Sequence, residues 1–395
     1  MVEPSLLTGN QAAAHAARLA RVQVFPCYPI TPMSPLMTAL TGFIDQGQLN
    51  AQFIRVESDH SAMAACIGSA ASGARTFTAS NSQGLALMHE LLFVASGLRV
   101  PIIMAVVNRA VSAPHCRFPD WGDAIAQEAS GWLQLYCENN QEVADTVLQA
   151  FKISQDEQVL LPIMVNYEGY ILGHTKEPLT LPEQAAVDAF LPAYHRAVID
   201  VEAPRAINTA TSHEIYMEYK YAEHRAMVSA LPVIEEVGED YARAFGRDWN
   251  GALEPYRCAR AEALLVTMGS MVSTARIAVD SLNAAGLPVG LVKVRSFRPF
   301  PAEELALLAS KAKAVAVIDR DIVYGIGGAL QREVTAALAA RGVAVPVQGY
   351  IAGLGGRDVN AAHLQEIGKE ALAIARGQAA AKPDAVWVGL KQELL

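Results

Sequence analysis

Short apolar runs alternate with helical patterns along the first 165 residues of the chain. The apolar runs predict strands at 22–27, 53–56, 75–79, 101–107 and 160–165. Apolar positions at helical spacing predict helices at 8–22, 60–72, 85–96 and 142–156. Prolines at 29, 32 and 35 exclude a regular helix after the first strand and predict a fixed loop. Because apolar strands alternate with helices, the pattern indicates an α/β fold with a parallel sheet covered on both faces.

A second strand–helix series follows residue 261 and predicts a smaller α/β domain. Its strands are expected at 264–267, 289–294, 314–319 and 345–351, and its helices at 273–285, 302–309 and 326–341. The segment between the two series carries a polar helical stretch at 212–225 and is interpreted as a linking arm without a core. The predicted organisation is a first domain at 1–190, a linking arm at 191–255 and a second domain at 256–395.

Composition narrows the class of protein. Of 395 residues, 52% are hydrophobic and 18% are charged, which excludes a disordered chain. The net charge of −9 argues against a nucleic-acid partner, because such a partner requires a basic face. No apolar stretch approaches the ~18 residues of a membrane helix, and the N-terminus lacks the pattern of a signal peptide. We therefore expect a cytoplasmic protein with no membrane span.

The five cysteines carry no metal-binding pattern. They form no CxxC pair, and their spacings match neither zinc nor iron–sulfur motifs. An odd number of cysteines without a secretory signal is typical of reduced cytoplasmic thiols. No metal site is predicted in this chain, so that any iron–sulfur cluster of the system must lie on another chain.

Two polar residues follow predicted strands. Arg109 stands at the end of strand 101–107, and Thr31 lies in the proline-rich loop after strand 22–27. Open parallel sheets bind ligands at the carboxyl ends of their strands, and arginine offers a carboxylate two parallel donors. Ligand binding is one interpretation; a structural salt bridge of Arg109 and a turn capped by Thr31 are the others.

Two carboxylates and a polar turn are further candidates. Glu57 and Asp59 are two positions apart, so both carboxylates would reach one site if the strand continued through them. Asp59 is equally suited to cap the following helix. Ser82 and Gln83 lie in a strand-to-helix turn, SNSQG, which either presents amides and hydroxyls to a cofactor or only caps the helix.

Other features favour structural roles. The glycine-rich turns at 325–328 and 353–356 match no phosphate-binding motif and are interpreted as tight turns. After Arg109 the chain carries His115, Cys116, Phe118 and Trp121. A neighbouring cysteine and histidine without an orienting third group do not indicate a nucleophile. An aromatic and basic loop beside a substrate pocket is the preferred interpretation.

Several ordered segments extend this picture over nearly the whole chain. They are YPITPMSP (28–35), VESDHSAMAACIGSAASGARTFTASNSQGLALMHE (56–90), VNRAVSAP (107–114), SGWLQLYCENNQEVADT (130–146), QVLLPIMVNYEGYILGHTKEP (158–178), VKVRSFRPFP (292–301), VIDRDIVYGIGGAL (317–330) and GLGGRDVN (353–360). Together they resemble the alpha subunit of the 2-oxoacid:ferredoxin (acceptor) oxidoreductases, of the pyruvate synthase or phenylglyoxylate dehydrogenase type. The resemblance implies a thiamine diphosphate pyrimidine-binding-type domain followed by a transketolase C-terminal-like domain.

The resemblance also implies cofactors and partners. Thiamine diphosphate would be shared with a beta subunit that carries the diphosphate-binding domain, with Mg²⁺ and [4Fe-4S] clusters on partner subunits. The reaction would be oxidative decarboxylation of a 2-oxoacid, with coenzyme A as co-substrate taking the acyl group. Subunits of the gamma and delta type, and ferredoxin or a flavoprotein as acceptor, would complete the system.

Site residues follow from the same likeness. The acid that hydrogen-bonds N1′ of the aminopyrimidine falls on Asp59, with Glu57 in reserve; the family motif ESEH reads ESDH here, so that the acid is shorter by about 1.5 Å. Thr31 and Arg109 match the positions that hold the substrate. The cofactor is expected to contact Pro29, Ser82 and Gln83 as well.

The loop after Arg109 departs from the pyruvate enzymes, because HCRFPDWGDAIAQ replaces a loop like IWNDHSD. Phe118 and Trp121 would stack on an aromatic substrate such as phenylglyoxylate, or pack at a subunit interface. His115 would serve a second carboxylate or the phosphates of coenzyme A. Two alternatives to the enzyme subunit are a non-catalytic scaffold subunit of such a complex and half of a non-oxidative thiamine diphosphate enzyme.

Overall fold

The computed structural model describes residues 4–194, 196–200, 202–204, 206–249 and 251–395. The strands are β1 (Ser5–Thr8), β2 (Val24–Cys27), β3 (Gln52–Arg55), β4 (Thr76–Ser80), β5 (Ile102–Asn108), β6 (Leu133–Tyr136), β7 (Ile163–Glu168), β8 (Lys176–Leu179), β9 (Leu253–Tyr256), β10 (Ala263–Thr267), β11 (Val289–Val294), β12 (Ser296–Arg298), β13 (Ala314–Asp319), β14 (Val347–Ile351) and β15 (Val386–Trp387). The helices are α1 (Gly9–Leu19), α2 (Ser34–Asp45), α3 (Asp59–Ala71), α4 (Ser82–Leu87), α5 (His89–Gly97), α6 (Gly122–Ile125), α7 (Asn140–Gln155), α8 (Gln184–Phe190), α9 (Tyr216–Phe245), α10 (Met271–Ala284), α11 (Ala302–Ala309), α12 (Ala329–Ala340) and α13 (Ala361–Ala375).

A seven-stranded sheet with the order β12-β6-β7-β5-β4-β2-β3 forms the first unit. All its neighbouring strands are parallel except β12, which runs antiparallel to β6. Its central strands β4, β5 and β7 are buried along their whole length, as expected of a sheet covered on both faces. The predicted α/β fold with a parallel sheet is confirmed.

A six-stranded sheet with the order β15-β14-β13-β10-β11-β9 forms the second unit. Its strands are parallel except β9, which pairs antiparallel with β11. Helices α10 and α13 of this unit pack against each other, and so do α11 and α12. The second strand–helix series of the sequence is thus an α/β unit of its own.

The two units are joined by buried contacts. Strand β12, which directly follows β11, leaves the second sheet and completes the first. Beside this crossover the ammonium group of Lys293, 1% exposed, lies 3.1 Å from Glu138 and 2.9 Å from Glu142. A charge that is removed from water requires compensation, and the two carboxylates of the first unit provide it.

Helix α9 differs from the predicted linking arm. The polar stretch at 212–225 leads into a helix of 30 residues, whose first turns are mostly exposed and whose later turns bury one face. Its second half buries Val233, Ile234 and Tyr241 in the core of the first unit. Pro232 lies inside the helix and disfavours a helix in any sequence-based prediction. The segment therefore adds core to the first unit as well as linking the two.

Three further observations complete the fold. Helix α2 begins at Ser34 with Pro35 in its first turn, where proline is tolerated, so that only the earlier part of the predicted loop is irregular. All five cysteines are free thiols. Within the described ranges, no helix combines the length and the apolar character that a membrane crossing requires.

Candidate active site

The candidate residues converge on the carboxyl edge of the seven-stranded sheet. Thr31 lies in the loop after β2, Asp59 begins α3 after β3, Ser82 begins α4 after β4, and Arg109 directly follows β5. Since these strands are parallel, their carboxyl ends meet at one edge, which is where open α/β sheets bind ligands. The sheet thus brings together four of the predicted site residues.

Asp59 is a buried carboxylate, 3% exposed. The hydroxyl of Ser80 donates to its Oδ1 at 2.7 Å. Burial raises the pKa of Asp59, and the Ser80 hydrogen bond opposes that rise. Helix α4 passes directly over the carboxylate, because Gly84 has no side chain: a Cβ there would lie 2.6 Å from the carboxylate atoms of Asp59.

Glu57 lies in different surroundings from Asp59. Strand β3 ends at Arg55, so that the two-residue period does not extend to these acids. Glu57 is exposed and accepts a hydrogen bond from the hydroxyl of Ser61. The capping residue of α3 is Ser58, whose hydroxyl accepts from the backbone N–H of Ser61 at 3.2 Å. Helix capping therefore does not account for Asp59.

The turn at Ser82 is tied to the end of β5. Ser82 has a left-handed backbone, with φ of 48°, which is uncommon for a residue other than glycine. Its hydroxyl donates to the carbonyl of Ala110 at 2.7 Å, and Gln83 donates to the hydroxyl of Ser112. The turn does more than cap a helix, because its two polar side chains hold the loop that follows Arg109.

Arg109 is 5% exposed and forms no ion pair within the described part of the chain. Its Nη1 donates to the carbonyl of Thr31 at 2.8 Å, and its Nε donates to the carbonyl of Cys116 at 3.2 Å. Its Nη2 lies 3.5 Å from the ring of His115. A nearly buried guanidinium without a carboxylate partner fits an anionic ligand, and no described residue forms the structural salt bridge considered for Arg109.

Thr31 and Pro29 lie in the exposed part of the same loop. Thr31 meets Arg109 through its carbonyl, and its hydroxyl makes no hydrogen bond to any residue that the structure describes. Pro29 and Thr31 thus flank the edge where Arg109 emerges. His115 is exposed next to the same guanidinium, with the hydroxyl of Ser112 3.4 Å from its Nδ1.

Phe118 and Trp121 do not form one aromatic surface. Trp121 is fully buried, and its indole N–H donates to Glu168 at 2.9 Å, so that the predicted stacking of Trp121 on a substrate needs correction. It packs instead in a core that contains residues of both units. Phe118 is 51% exposed and contacts Tyr170, whose ring stacks on His174 at 4.7 Å. Tyr170 was not predicted, because it follows β7, far along the chain.

The glycine-rich turns have structural roles, as predicted. Gly356, with φ of 75°, donates its backbone N–H to the carbonyl of Pro119 at 2.8 Å, and a Cβ there would lie 2.5 Å from that of Phe118. The turn thereby packs the second unit against the aromatic loop of the first. Gly328 passes against the carboxylate of Asp319, where no side chain fits.

Comparisons with known proteins agree with this architecture. The structure aligns with a 2-oxoglutarate:ferredoxin oxidoreductase from Magnetococcus marinus with a TM-score of 0.74 and 16% identity, over 94% of this chain and 65% of that chain. This chain therefore spans about two thirds of the length of that solved chain. A split gene transketolase aligns with a TM-score of 0.54 and 11% identity, over 94% of this chain and 100% of that chain. The fold is that of the thiamine diphosphate enzymes, with a transketolase C-terminal-like second unit.

Sequence comparisons define the family. A family model described as pyruvate flavodoxin/ferredoxin oxidoreductase, thiamine diphosphate-binding, matches residues 15–239, and one described as pyruvate:ferredoxin oxidoreductase core domain II matches residues 261–364. Pyruvate synthase subunit PorA of Methanothermobacter thermautotrophicus is 45% identical, covering 98% of both chains. Ketoisovalerate oxidoreductase subunit VorA of Pyrococcus horikoshii is 42% identical, covering 92% of this chain and 93% of that relative. The chain belongs to the alpha subunits of the 2-oxoacid:ferredoxin oxidoreductase family, which confirms the predicted resemblance.

Proposed function

We propose that this chain is the alpha subunit of an enzyme that oxidatively decarboxylates a 2-oxoacid. The 2-oxoacid and coenzyme A become acyl-CoA and carbon dioxide, and two electrons pass singly to the acceptor. The observation that carries the proposal is the unpaired guanidinium of Arg109 at the same sheet edge as the buried carboxylate of Asp59. The guanidinium suits a substrate carboxylate, and the carboxylate of Asp59 suits a cofactor that needs an acid.

Asp59 fits the aminopyrimidine of thiamine diphosphate. Its carboxylate is buried, has one side-chain donor and is approached closely by Gly84, a position that no side chain fills. When bound, thiamine diphosphate supplies a carbon nucleophile and an electron sink for the decarboxylation. Asp59 would hold the proton at N1′ of the pyrimidine, with Glu57 as the reserve acid. Pro29, Ser82 and Gln83 would line the same part of the cofactor.

Arg109 and Thr31 would orient the 2-oxoacid. Arg109 would bind the carboxylate through its guanidinium, and Thr31 would offer its hydroxyl to the keto oxygen. His115, next to Arg109, would contact the substrate or the phosphates of coenzyme A. Because Arg109 is held by the carbonyls of Thr31 and Cys116, its position is set before substrate arrives.

Pyruvate is the first substrate to test, because pyruvate synthase PorA is 45% identical to this chain. A specific observation supports a second candidate, an aromatic 2-oxoacid such as phenylglyoxylate. Phe118 is half-exposed and packs on Tyr170 with the two rings tilted by 50°, so that an aryl side chain could add to this aromatic pair. Trp121 is not part of this proposal.

The proposed complex includes partner subunits that hold the metals. In the described part of this chain, no cluster of histidine, cysteine and acidic residues is arranged for a metal. Mg²⁺ and the [4Fe-4S] clusters would lie on partner subunits of the beta, gamma and delta types. The acceptor would be ferredoxin or a flavoprotein, in the cytoplasm. Residues 1–190 would form the pyrimidine-binding-type domain, 191–255 the arm that contains α9, and 256–395 the second domain.

The test is anaerobic reduction of a viologen dye by the co-expressed complex, with pyruvate or phenylglyoxylate, each with and without coenzyme A. Coenzyme A-dependent reduction is expected with one of them, and Phe118→Ala should alter the preference between the two acids. Decarboxylation without dye reduction, in a complex free of iron and sulfide, would favour the non-oxidative alternative. Undiminished turnover of Asp59→Ala would favour the scaffold alternative.

A further inference from the structure

Asp123 lies in α6, enclosed by three segments of the first unit, and is 1% exposed. Its Oδ2 accepts the backbone N–H of Ser82 at 2.9 Å and that of Arg109 at 3.0 Å. Its Oδ1 accepts the side-chain amide of Asn108 at 2.9 Å and the backbone N–H of Ala124 at 2.8 Å. No cation pairs with this carboxylate anywhere in the described ranges, so that four N–H groups alone compensate its burial.

One oxygen atom of Asp123 therefore connects the turn that faces the proposed cofactor with the residue that faces the proposed substrate. Ser82 needs such support, because its left-handed backbone is unfavourable for serine and persists only where the surroundings hold it. Arg109 needs the same support, because its guanidinium can hold the substrate carboxylate in place only if the backbone of Arg109 is fixed. The N–H groups of both residues point at the same acceptor, so the distance between the two segments is set by that acceptor.

We infer that Asp123 is a positioning residue, which fixes the backbone of Arg109 relative to that of Ser82 and so aligns substrate with cofactor. The inference rests on the proposed function of Arg109 and Ser82. Asp123 itself is shielded from solvent, and both of its oxygen atoms are taken up by N–H groups of the protein. A displacement of about 1 Å at a reacting group is enough to cost on the order of 10²-fold in rate, so that an acceptor at this place would control turnover without taking part in the chemistry.

The experiment compares Asp123→Ala with Asp123→Asn in the assembled complex. Asp123→Ala removes both acceptors, and we expect kcat/KM for the 2-oxoacid to fall on the order of 10²-fold, with a raised KM. Asp123→Asn keeps one acceptor oxygen for Ser82 and Arg109. Its new amide replaces Oδ1, so that the backbone N–H of Ala124 within α6 loses its acceptor, but the amide can donate to Oδ1 of Asn108, which is buried without a partner, once that side chain turns over. Most of the activity should therefore be retained.

Asp120→Ala is the matched control. Asp120 lies just before α6, but its carboxylate accepts from the backbone N–H groups of Gly122, at 3.0 Å, and of Gly355, and touches neither Ser82 nor Arg109. Thermal unfolding of each complex separates lost folding from lost alignment. If Asp123→Ala does not assemble, Asp123→Ser, which is shorter and misplaces the acceptor, is expected to show the same fall in kcat/KM.

A double-mutant cycle with Arg109→Lys completes the test. If Asp123 acts through Arg109, the second change adds much less than its own effect once Asp123→Ala is present. Multiplicative losses, or equal losses in Asp120→Ala, would overturn the positioning role. Failure of the proposed function looks different: the wild-type complex would not oxidise any 2-oxoacid, or Arg109→Lys alone would leave KM unchanged.

Discussion

The guanidinium of Arg109 donates to the carbonyl of Thr31 across 78 positions of sequence, at 2.8 Å. The two residues follow different strands, and this hydrogen bond makes them one structural unit. A substrate that meets Arg109 therefore meets the loop of Thr31 at the same time. This relationship supports assigning both residues to a single ligand.

Replacing Arg109 tests that assignment. Arg109→Lys keeps the charge but cannot hold both carbonyls and also bind a carboxylate in two-point fashion, so that kcat/KM for the 2-oxoacid should fall about 10- to 100-fold. Arg99→Lys is the control, because Arg99 also donates to two carbonyls, those of Val159 and Leu160, but before β5 at the opposite sheet edge. Steady-state kinetics of the complex measure both. Equal losses in the two variants would remove Arg109 from the site.

Replacing Asp59 should abolish most turnover while the fold persists. Asp59→Asn cannot hold a proton at the pyrimidine as a carboxylic acid does, and we expect kcat to fall on the order of 10²–10⁴-fold. Glu57→Gln changes an exposed acid two residues away and should leave kcat near the wild-type value. Dye reduction at saturating substrate and cofactor distinguishes them. The opposite result would transfer the role to Glu57.

The pH profile should respond to Ser80. Burial raises the pKa of Asp59, and the hydroxyl of Ser80 stabilises the ionised form, which lowers it again. Ser80→Ala removes the lowering effect, so that the pKa of Asp59 rises further and the alkaline limb of kcat/KM, along which the acid loses its proton, moves to higher pH. Ser69→Ala, a serine of the same helix as Asp59 that bonds only to the carbonyl of Ala65, should leave the limb in place. A limb that does not move with Ser80→Ala would separate this ionisation from Asp59.

Substitution by alanine should have opposite effects on the unfolding free energy at Gly84 and at Gly68. Gly84→Ala places a methyl group 2.6 Å from the carboxylate of Asp59, and overpacking of this kind costs about 1–3 kcal/mol of unfolding free energy. Gly68→Ala adds a methyl group in α3 with nothing within 4 Å, and should stabilise the helix by about 0.5–1 kcal/mol. Thermal unfolding and thiamine diphosphate dependence measure both variants. A stabilised Gly84→Ala would contradict the close contact.

The buried ion cluster between the units predicts a large loss of stability. Lys293→Met removes the buried ammonium that pairs with both Glu138 and Glu142 and leaves only Arg276 and Arg295 beside them, so we expect a cost toward the lower end of the about 3–5 kcal/mol of a broken buried pair. Lys313→Met breaks the exposed pair with Glu262 and should cost about 1 kcal/mol or less. Denaturant unfolding gives the two values. Similar costs would show that the cluster is not what holds the units together.

Alternating apolar and polar patterns predicted most of both strand–helix series, but not β6, α2 or α13. They also placed Arg109 and Thr31 at strand ends, because the carboxyl edge of a parallel sheet follows from strand order alone. What the pattern could not show was long-range pairing. Strand β12 has only three residues, and its partner β6 lies more than a hundred positions away, so that no local signal marks it.

The site residues show the same limit. Trp121 and Phe118 look alike in sequence, yet one is fully buried against Glu168 and the other is half-exposed. Asp123 gives no signal in the sequence, because its role depends on two backbone groups from distant segments. Burial and hydrogen-bond partners depend on the tertiary structure, and they determine the role of each of these residues.

The position of β12 limits how this chain can be divided into fragments. A fragment that stops before the second sheet would keep every residue of the candidate site but would leave β6 with unpaired N–H and carbonyl groups, an open edge that invites aggregation. A cut after β12 would keep β6 paired but would separate β10 from its partner β13 and open the second sheet instead. No single cut therefore leaves both sheets complete.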